Sequence, residues 1–510
     1  MSGEPSTPRT HREIQIIFVG LMLGMLLPAM TMTIVSTALP AIVADLGGLS
    51  ELSWVMTAYL LAATIAVPLV GKASDLRGRR PLFQLAIVGF VLGSVLCGLA
   101  QTMGQLIAAR AIQGAAGGAL MALAQATIGD VVTPRQRGRY QGYIGAVFAV
   151  ASLIGPLVGG FLVDQVSWRW VFFFNVPLGL VALVVTRRYL RITHERREAR
   201  IDYLGATLVT AGITALLLVS VWGGQQYAWS SPIIVVLSAA AVACIAALVP
   251  VERRATEPIV PLRLFNERVF TVGSVLTFLL GTALFGAIVF MPTFLQVVTG
   301  VSATASGLAL LPLMAGLLLS SIVSGRLITR WGRYKPFPVA GTALLVVGFW
   351  LLGGMDASTT IADTAGMLAI VGLGMGMTMQ VLVLAIQNAV ERRDLGAATS
   401  AVQFFRMTGG TIGLAAFGAV VNVRLGLWAA ARLPDGVLPG GLDIEAVASD
   451  PTAIAQLPTG IQASLRTGLA EAITATFQFA VPVLVVAFVL ALLLREAPLG
   501  DSPGVREREA

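Results

Sequence analysis

Residues 106–118 read L-I-A-A-R-A-I-Q-G-A-A-G-G, residues 130–139 read D-V-V-T-P-R-Q-R-G-R, and residues 151–160 read A-S-L-I-G-P-L-V-G-G. Arg110 stands alone in an apolar run, with Gln113 and Gly114 three and four residues on and therefore on the same helix face. The last piece crowds Gly155, Pro156, Gly159 and Gly160 into a second apolar run. Glycines four residues apart strip side chains from one stripe and let a neighbouring helix come close. Proline removes a backbone donor and bends the helix there. An arginine inside a bilayer costs ~2.5–3.5 kcal/mol on insertion scales, so Arg110 is a functional candidate by default. The whole stretch belongs in a membrane.

Composition agrees. Hydrophobic residues make up 56% of 510, charged residues only 12%, and mean hydropathy is +0.85. No soluble domain needs that balance, so apolar surface must face lipid. Charge-free runs occupy 14–44, 52–71, 81–109, 111–129, 140–163, 170–186, 336–355, 364–390 and 472–494. Runs 203–251 and 269–325 are each long enough for two crossings at about 20 residues apiece, with turns at 223–232 and 299–307. The stretch 395–423 is broken only by Arg406. The expected total is fourteen crossings.

Charge gives the orientation. Of 34 Lys and Arg, twenty-eight fall in one set of links and the two tails, while the opposite links hold only Arg169, Arg424, Arg432 and Arg466. Both termini are therefore expected in the cytoplasm. The net charge of +8 reflects this asymmetry and attraction to an anionic inner leaflet, not binding to nucleic acid. The uncharged run after Arg12 is too long for a cleavable signal, so the first crossing is expected to stay. Arginine outnumbers lysine 32 to 2 beside abundant Ala and Gly, a weak compositional hint of a GC-rich bacterial genome.

Enzymatic chemistry finds no foothold. There is no G-x-x-x-x-G-K phosphate loop. The two histidines, His11 and His194, are far apart, and Cys97 and Cys244 sit in apolar runs. Neither a metal site nor a Cys/His nucleophile can be assembled, and no cofactor is expected.

One link stands out. Residues 71–80 read G-K-A-S-D-L-R-G-R-R, with Asp75 among Lys72, Arg77, Arg79 and Arg80. A carboxylate there can hold an arginine or cap a helix N-terminus. This loop, the Arg110–Gln113–Gly114 helix and the G-P-L-V-G-G helix resemble three signatures of the major facilitator superfamily. Fourteen crossings with W-R-W-V-F-F-F-N-V-P-L-G at 168–179 are similar to its fourteen-helix drug:proton antiporter branch. The likeness continues at 202–205 and in Q-N-A-V-E-R-R-D-L-G-A-A-T-S-A-V-Q-F-F-R, 387–406. It implies an all-α integral membrane fold of two six-helix bundles related by a pseudo-two-fold, with two inserted helices. The chain then divides into 1–190, a cytoplasmic amphipathic link at 191–201, inserted helices at 202–250, and 251–510 with an extracytoplasmic loop at 424–470. An internal repeat supports this independently, because G-R-L-I-T-R-W-G-R at 325–333 mirrors 71–79 with Thr329 in the place of Asp75.

The implied function is secondary active export of lipophilic drugs, dyes or antibiotics by alternating access, coupled to proton influx. The expected setting is the bacterial inner membrane, as a monomer in contact with lipid, small substrates and protons. Two alternatives stand beside it: export of one endogenous lipid or secondary metabolite, and a membrane sensor or scaffold that does not transport.

Candidate substrate contacts are Thr31, Tyr59, Arg110, Gln113, Phe285, Gln296, Met375, Gln380 and Arg406. Alternating Gly and Met at 372–380 suits either adaptable binding or plain lipid-facing and core packing. The resemblance implies a conformational latch from Gly71, Asp75, Gly78 and Arg79, with Asp75 facing the helix start near 395–397, where the helix dipole favours a carboxylate. Gly155, Pro156, Gly159 and Gly160 are expected to seal the first half against the second, with packing inside the first half as the alternative. The family's span-1 aspartate is replaced by Thr31, so proton coupling falls to Asp130, Asp164, Glu471 or the substrate's own proton. A cavity holding Arg110 and Arg406 without a buried acid would favour neutral or anionic substrates, with snorkelling to the outer surface as the alternative for Arg110.

Overall fold

The computed structural model describes residues 11–47, 51–190, 202–224, 226–301, 303–356, 358–432, 459–496 and 499. Their regular structure is helical apart from one isolated bridge between Gly223 and Tyr227. Fourteen segments are long and apolar enough to cross a membrane. The link at 191–201 and residues 433–458 of the long loop lie outside the described residues.

The first bundle comprises α1 (His11–Leu46), α2 (Leu52–Arg77), α3 (Arg79–Leu99), α4 (Met103–Val131) and α5 (Pro134–Gln165). Its sixth crossing is made in two pieces, α6 (Trp170–Phe173) and α7 (Asn175–Tyr189). The inserted pair is α8 (Tyr203–Trp222) and α9 (Pro232–Arg254). The second bundle holds α10 (Arg268–Thr293), then α11 (Ala303–Ala309) and α12 (Leu311–Trp331) as one crossing. It closes with α13 (Pro336–Gly353), α14 (Ile361–Ala389), α15 (Leu395–Arg432) and α16 (Thr459–Leu493).

Helix ends follow local chemistry. The Asp202 carboxylate accepts from Gly205 N–H at 2.8 Å, and Thr360 accepts from Asp363 N–H at 3.2 Å, each quieting an orphan donor of a first turn. Below Pro292, α10 passes into a π-helical turn at Phe294–Val298 that carries Gln296. The proline lacks the donor that regular i→i−4 bonding needs. The loop expected at 424–470 is shorter at both ends, since α15 continues to Arg432 and α16 begins at Thr459. The alanines at 429–431 are strong helix formers, and they carry α15 past Arg424.

Glycine sets which helices touch closely. A Cβ on Gly118 would press on the backbone of Ala63, and one on Gly114 on that of Tyr59, so α4 lies directly on α2. In the second bundle Gly372 and Gly376 of α14 meet Leu313 and Leu317 of α12 in the same way. The pseudo-two-fold is therefore written in backbone contacts. The inserted pair packs as a unit, Val209, Ile213 and Leu217 meeting Leu61, Ile65 and Leu69 of α2 and Phe404 of α15. It touches both bundles.

Candidate functional site: a gate and a central arginine

The two bundles meet at the end that carries the basic links. Asp75, near the end of α2, accepts from Gly396 N–H through Oδ1 at 3.0 Å and from Ala397 N–H through Oδ2 at 2.9 Å. These are first-turn donors of α15, where orphan N–H groups and the helix dipole both favour a carboxylate. Arg79 holds Asp75 from the side at 2.6 Å and donates to Asp130 at 2.8 Å, and it also touches the Ser74 hydroxyl. Asp75 and Arg79 are each 5% exposed. Gly71 must be bare, because a Cβ there would collide with Ser400 and sit 2.9 Å from Gly396 O. Gly78 has φ +93°, the left-handed turn between α2 and α3 that glycine accommodates.

The mirror contact has a hydroxyl where the first has a carboxylate. Gly325 of α12 lies against Gly138 of α5, and Thr329 Oγ1 accepts from Arg139 N–H at 3.2 Å. Arg135 Nε donates to Thr329 O at 3.0 Å. Gly142 and Gly145 continue the seam against Ser321. Above it lies a glutamine network: Gln387 Nε2 donates to Gln125 O and to Thr399 Oγ1, both at 3.0 Å. Gln141 reaches Gln387 Oε1, and Arg137 donates to Gln387 O at 3.2 Å. The hydrogen bonds described between the two bundles lie from mid-bundle to this basic end.

Several expected site residues stand elsewhere. Gly155 and Gly159 do not face the second bundle; a Cβ on either would strike Thr33 or Thr37 of α1. Pro156 lies on this same stretch of α5, and a Cβ on Gly160 meets nothing within 4 Å. At 3.6 residues per turn, the step from Gly142 to Gly155 rotates the helix by roughly 220°, so one glycine run faces α12 and the other α1. The G-P-L-V-G-G segment therefore packs inside the first bundle. The residues sealing the halves are Gly138, Gly142 and Gly145, and their spacing of four and three was the available signal.

Arg110 is likewise internal. It is fully buried, its Nε donates to Val55 O at 3.0 Å, its Nη1 donates to Gln113 at 2.6 Å, and its guanidinium lies 4.3 Å from the Tyr59 ring centre. Gln113 passes the network on to Ser94 at 2.7 Å. Tyr59, Arg110 and Gln113 thus clamp α2, α3 and α4 together and do not line a passage. Thr31 is also sealed, against Leu27 O and Asn175 of the same bundle. An Arg110→Ala variant should lose about 1–3 kcal/mol, since Gln113 Oε1 loses its strong donor and keeps only the Cys97 thiol. Thermal unfolding of the purified protein checks this, with binding per folded molecule preserved.

Of the acids considered for coupling, Asp164 and Glu471 are exposed, whereas Asp130 is held by Arg79. Met375 is buried within the second bundle, and Gln296 is half-buried in its π turn. The side chain of Phe285 lies outside what the structure describes. Gln380 and Arg406 remain near the centre, 5% and 7% exposed.

Two six-crossing bundles that meet at the end carrying the basic links, with an inserted helix pair beside them, make the fold of a multi-pass membrane protein. The chain belongs to the Major Facilitator Superfamily: that family's model matches residues 21–203 and 202–414. It is 46% identical over 500 residues to an uncharacterised MFS-type transporter of Mycobacterium tuberculosis, covering 98% of this chain and 72% of that one. It is 41% identical over 411 residues to the multidrug transporter protein MdtP of Bacillus subtilis, covering 81% and 76%. Among solved structures, the human organic anion transporter MFSD10 superposes with a TM-score of 0.64 at 16% identity, over 94% of this chain and 99% of that one. At that identity the likeness is one of fold. The chain is a multi-pass membrane transporter and not an enzyme.

Proposed function

We propose that the protein exports lipophilic small molecules from the bacterial cytoplasm, as a monomer driven by proton influx. The basic end then faces the cytoplasm, and the structure corresponds to the state closed inward and open outward. The observation that carries this reading is the Asp75 cap on α15. It joins the halves through two backbone donors of α15 to a carboxylate that Arg79 of its own bundle holds in place, so its strength depends on charge and not on bulk. The printed name of MdtP supports drug-like cargo.

Coupling is assigned to Asp130. Protonating it would release Arg79, which alone stands between the two carboxylates, and so alter the hold on Asp75. Accumulation of lipophilic dyes in cells with and without the gene tests the proposal, each with and without an uncoupler. Gene-dependent efflux that stops with the uncoupler is expected. Equal accumulation in all four conditions defeats export, and efflux indifferent to the uncoupler defeats proton drive. Asp130→Asn should slow uncoupler-sensitive efflux at least about tenfold while downhill counterflow persists.

A further inference from the structure

We propose that Arg406 anchors a central binding site for a lipophilic organic anion that also carries a hydrogen-bond donor. The inference rests on the exporter reading in taking the bundle axis as a substrate path.

Register places the arginine. Thr399 of α15 and Gln387 of α14 are hydrogen-bonded to each other above the gate. The two helices run in opposite directions. Two turns along α15 from Thr399 is Arg406, and two turns back along α14 from Gln387 is Gln380. Seven residues restore nearly the same helix face, so Arg406 and Gln380 stand at about one level, two turns beyond the Thr399–Gln387 bond. Gln403 lies between Thr399 and Arg406 on that face of α15. Arg406 stands beside α10: a Cβ on Gly281 would press on Arg406 O, and Gly409 and Gly413 press on Phe278 and Thr282, while Gly396 and Ser400 face α2. The glutamine network forms the floor.

Chemistry assigns the ligand. Arg406 is 7% exposed, and among the described residues its side chain has no hydrogen-bond or ion-pair partner. Arg110, by contrast, has a carbonyl, an amide and a ring. A buried guanidinium without a counter-charge is unfavourable, and its planar fork matches a carboxylate. No described acid is paired with Arg406: Asp75 and Asp130 are held by Arg79, and Asp164 and Glu471 are exposed. Close by in register, Gln380 Oε1 and Gln403 Oε1 are buried acceptors without a donor. An anion would answer the arginine, and a hydroxyl or N–H on the same molecule would answer the glutamines. The apolar walls of the bundle select a hydrophobic body.

The test uses full-length protein in nanodiscs and equilibrium binding of three probes that share one ring system: naphthoate, naphthylmethanol and naphthylmethylammonium. Naphthoate should bind at least about tenfold more tightly than either of the others. Arg406→Gln should remove that preference and leave naphthylmethanol within about twofold, while Arg406→Lys keeps part of it as a point charge. Absence of anion preference in the native protein overturns the site. So does an equal loss for all three probes in Arg406→Gln, which marks a purely structural arginine. Should that variant fail to fold, Gln380→Leu and Gln403→Leu decide: each should weaken hydroxynaphthoate while sparing naphthoate, and no difference overturns the proposal. Counterflow in proteoliposomes separates the two readings. Anion binding without export sinks the exporter and upholds the site; export without anion preference sinks the site alone.

Discussion

Leucine at Gly138 should abolish export while the protein still inserts and folds. A Cβ at this position already lies 2.9 Å from Gly325 O and 3.0 Å from Ile328 Cγ2. The nearest atom is backbone, which cannot swing aside as a flexible side chain would. Overfilling such a contact costs about 1–3 kcal/mol, and the larger figure shifts the closed-to-open ratio at the basic end roughly a hundredfold. Each bundle keeps its own core, because this seam lies between them. Gly155→Leu should behave differently. Its Cβ meets Thr33 within the first bundle, so the expected result is less folded protein. Export and melting temperature measured on both variants check the contrast. Gly138→Leu should lose transport at near-native melting temperature, and Gly155→Leu should lose both together. If Gly138→Leu transports normally, the seam is not a moving surface.

The difference between these glycines shows what the sequence can carry. Crossings were legible because a bilayer demands about 20 apolar residues and positive links on one side. That Asp75 stands before the start of α15 was implied by the likeness of its loop to the family's motif, and a carboxylate suits a helix N-terminus. Helix facing was less so. Gly155 and Gly142 occupy one helix, and both runs satisfy the small-residue pattern; only the rotation between them, set against two different neighbours, distinguishes inner packing from a seam. Arg110 was misplaced for a related reason. A lone arginine in an apolar run is costly, but the run does not reveal that Val55 O, Gln113 and Tyr59 converge on it from other turns. Arg406 lies in an equally bare run and found no such company. Gln387 falls within the 387–406 motif, yet its bonds to Gln125 and Gln141 join residues far apart in the chain.

Asp75→Asn should leave the fold intact and weaken closure at the basic end about tenfold or more. The amide keeps one acceptor oxygen, so one of the two first-turn donors, Gly396 N–H or Ala397 N–H, loses its partner. A hydrogen bond to a charged group is worth about 1.5–3 kcal/mol, against about 0.5–1.5 for a neutral one. Loss of charge at the helix N-terminus adds about 0.3–1 kcal/mol. Arg79 is left with Asp130 as its single carboxylate, which strengthens that pair at the expense of the link between bundles. The sum disfavours the closed state without touching either core. Thr329 makes the corresponding contact in the second half with a neutral hydroxyl, so Thr329→Val should cost several-fold less than Asp75→Asn. The readout is labelling of Thr399→Cys by an impermeant maleimide from the basic side, with Cys97 and Cys244 replaced. Labelling should rise in Asp75→Asn and change little in Thr329→Val. Equal labelling of both variants and the parent would mean that the Asp75 cap follows closure and does not help to cause it.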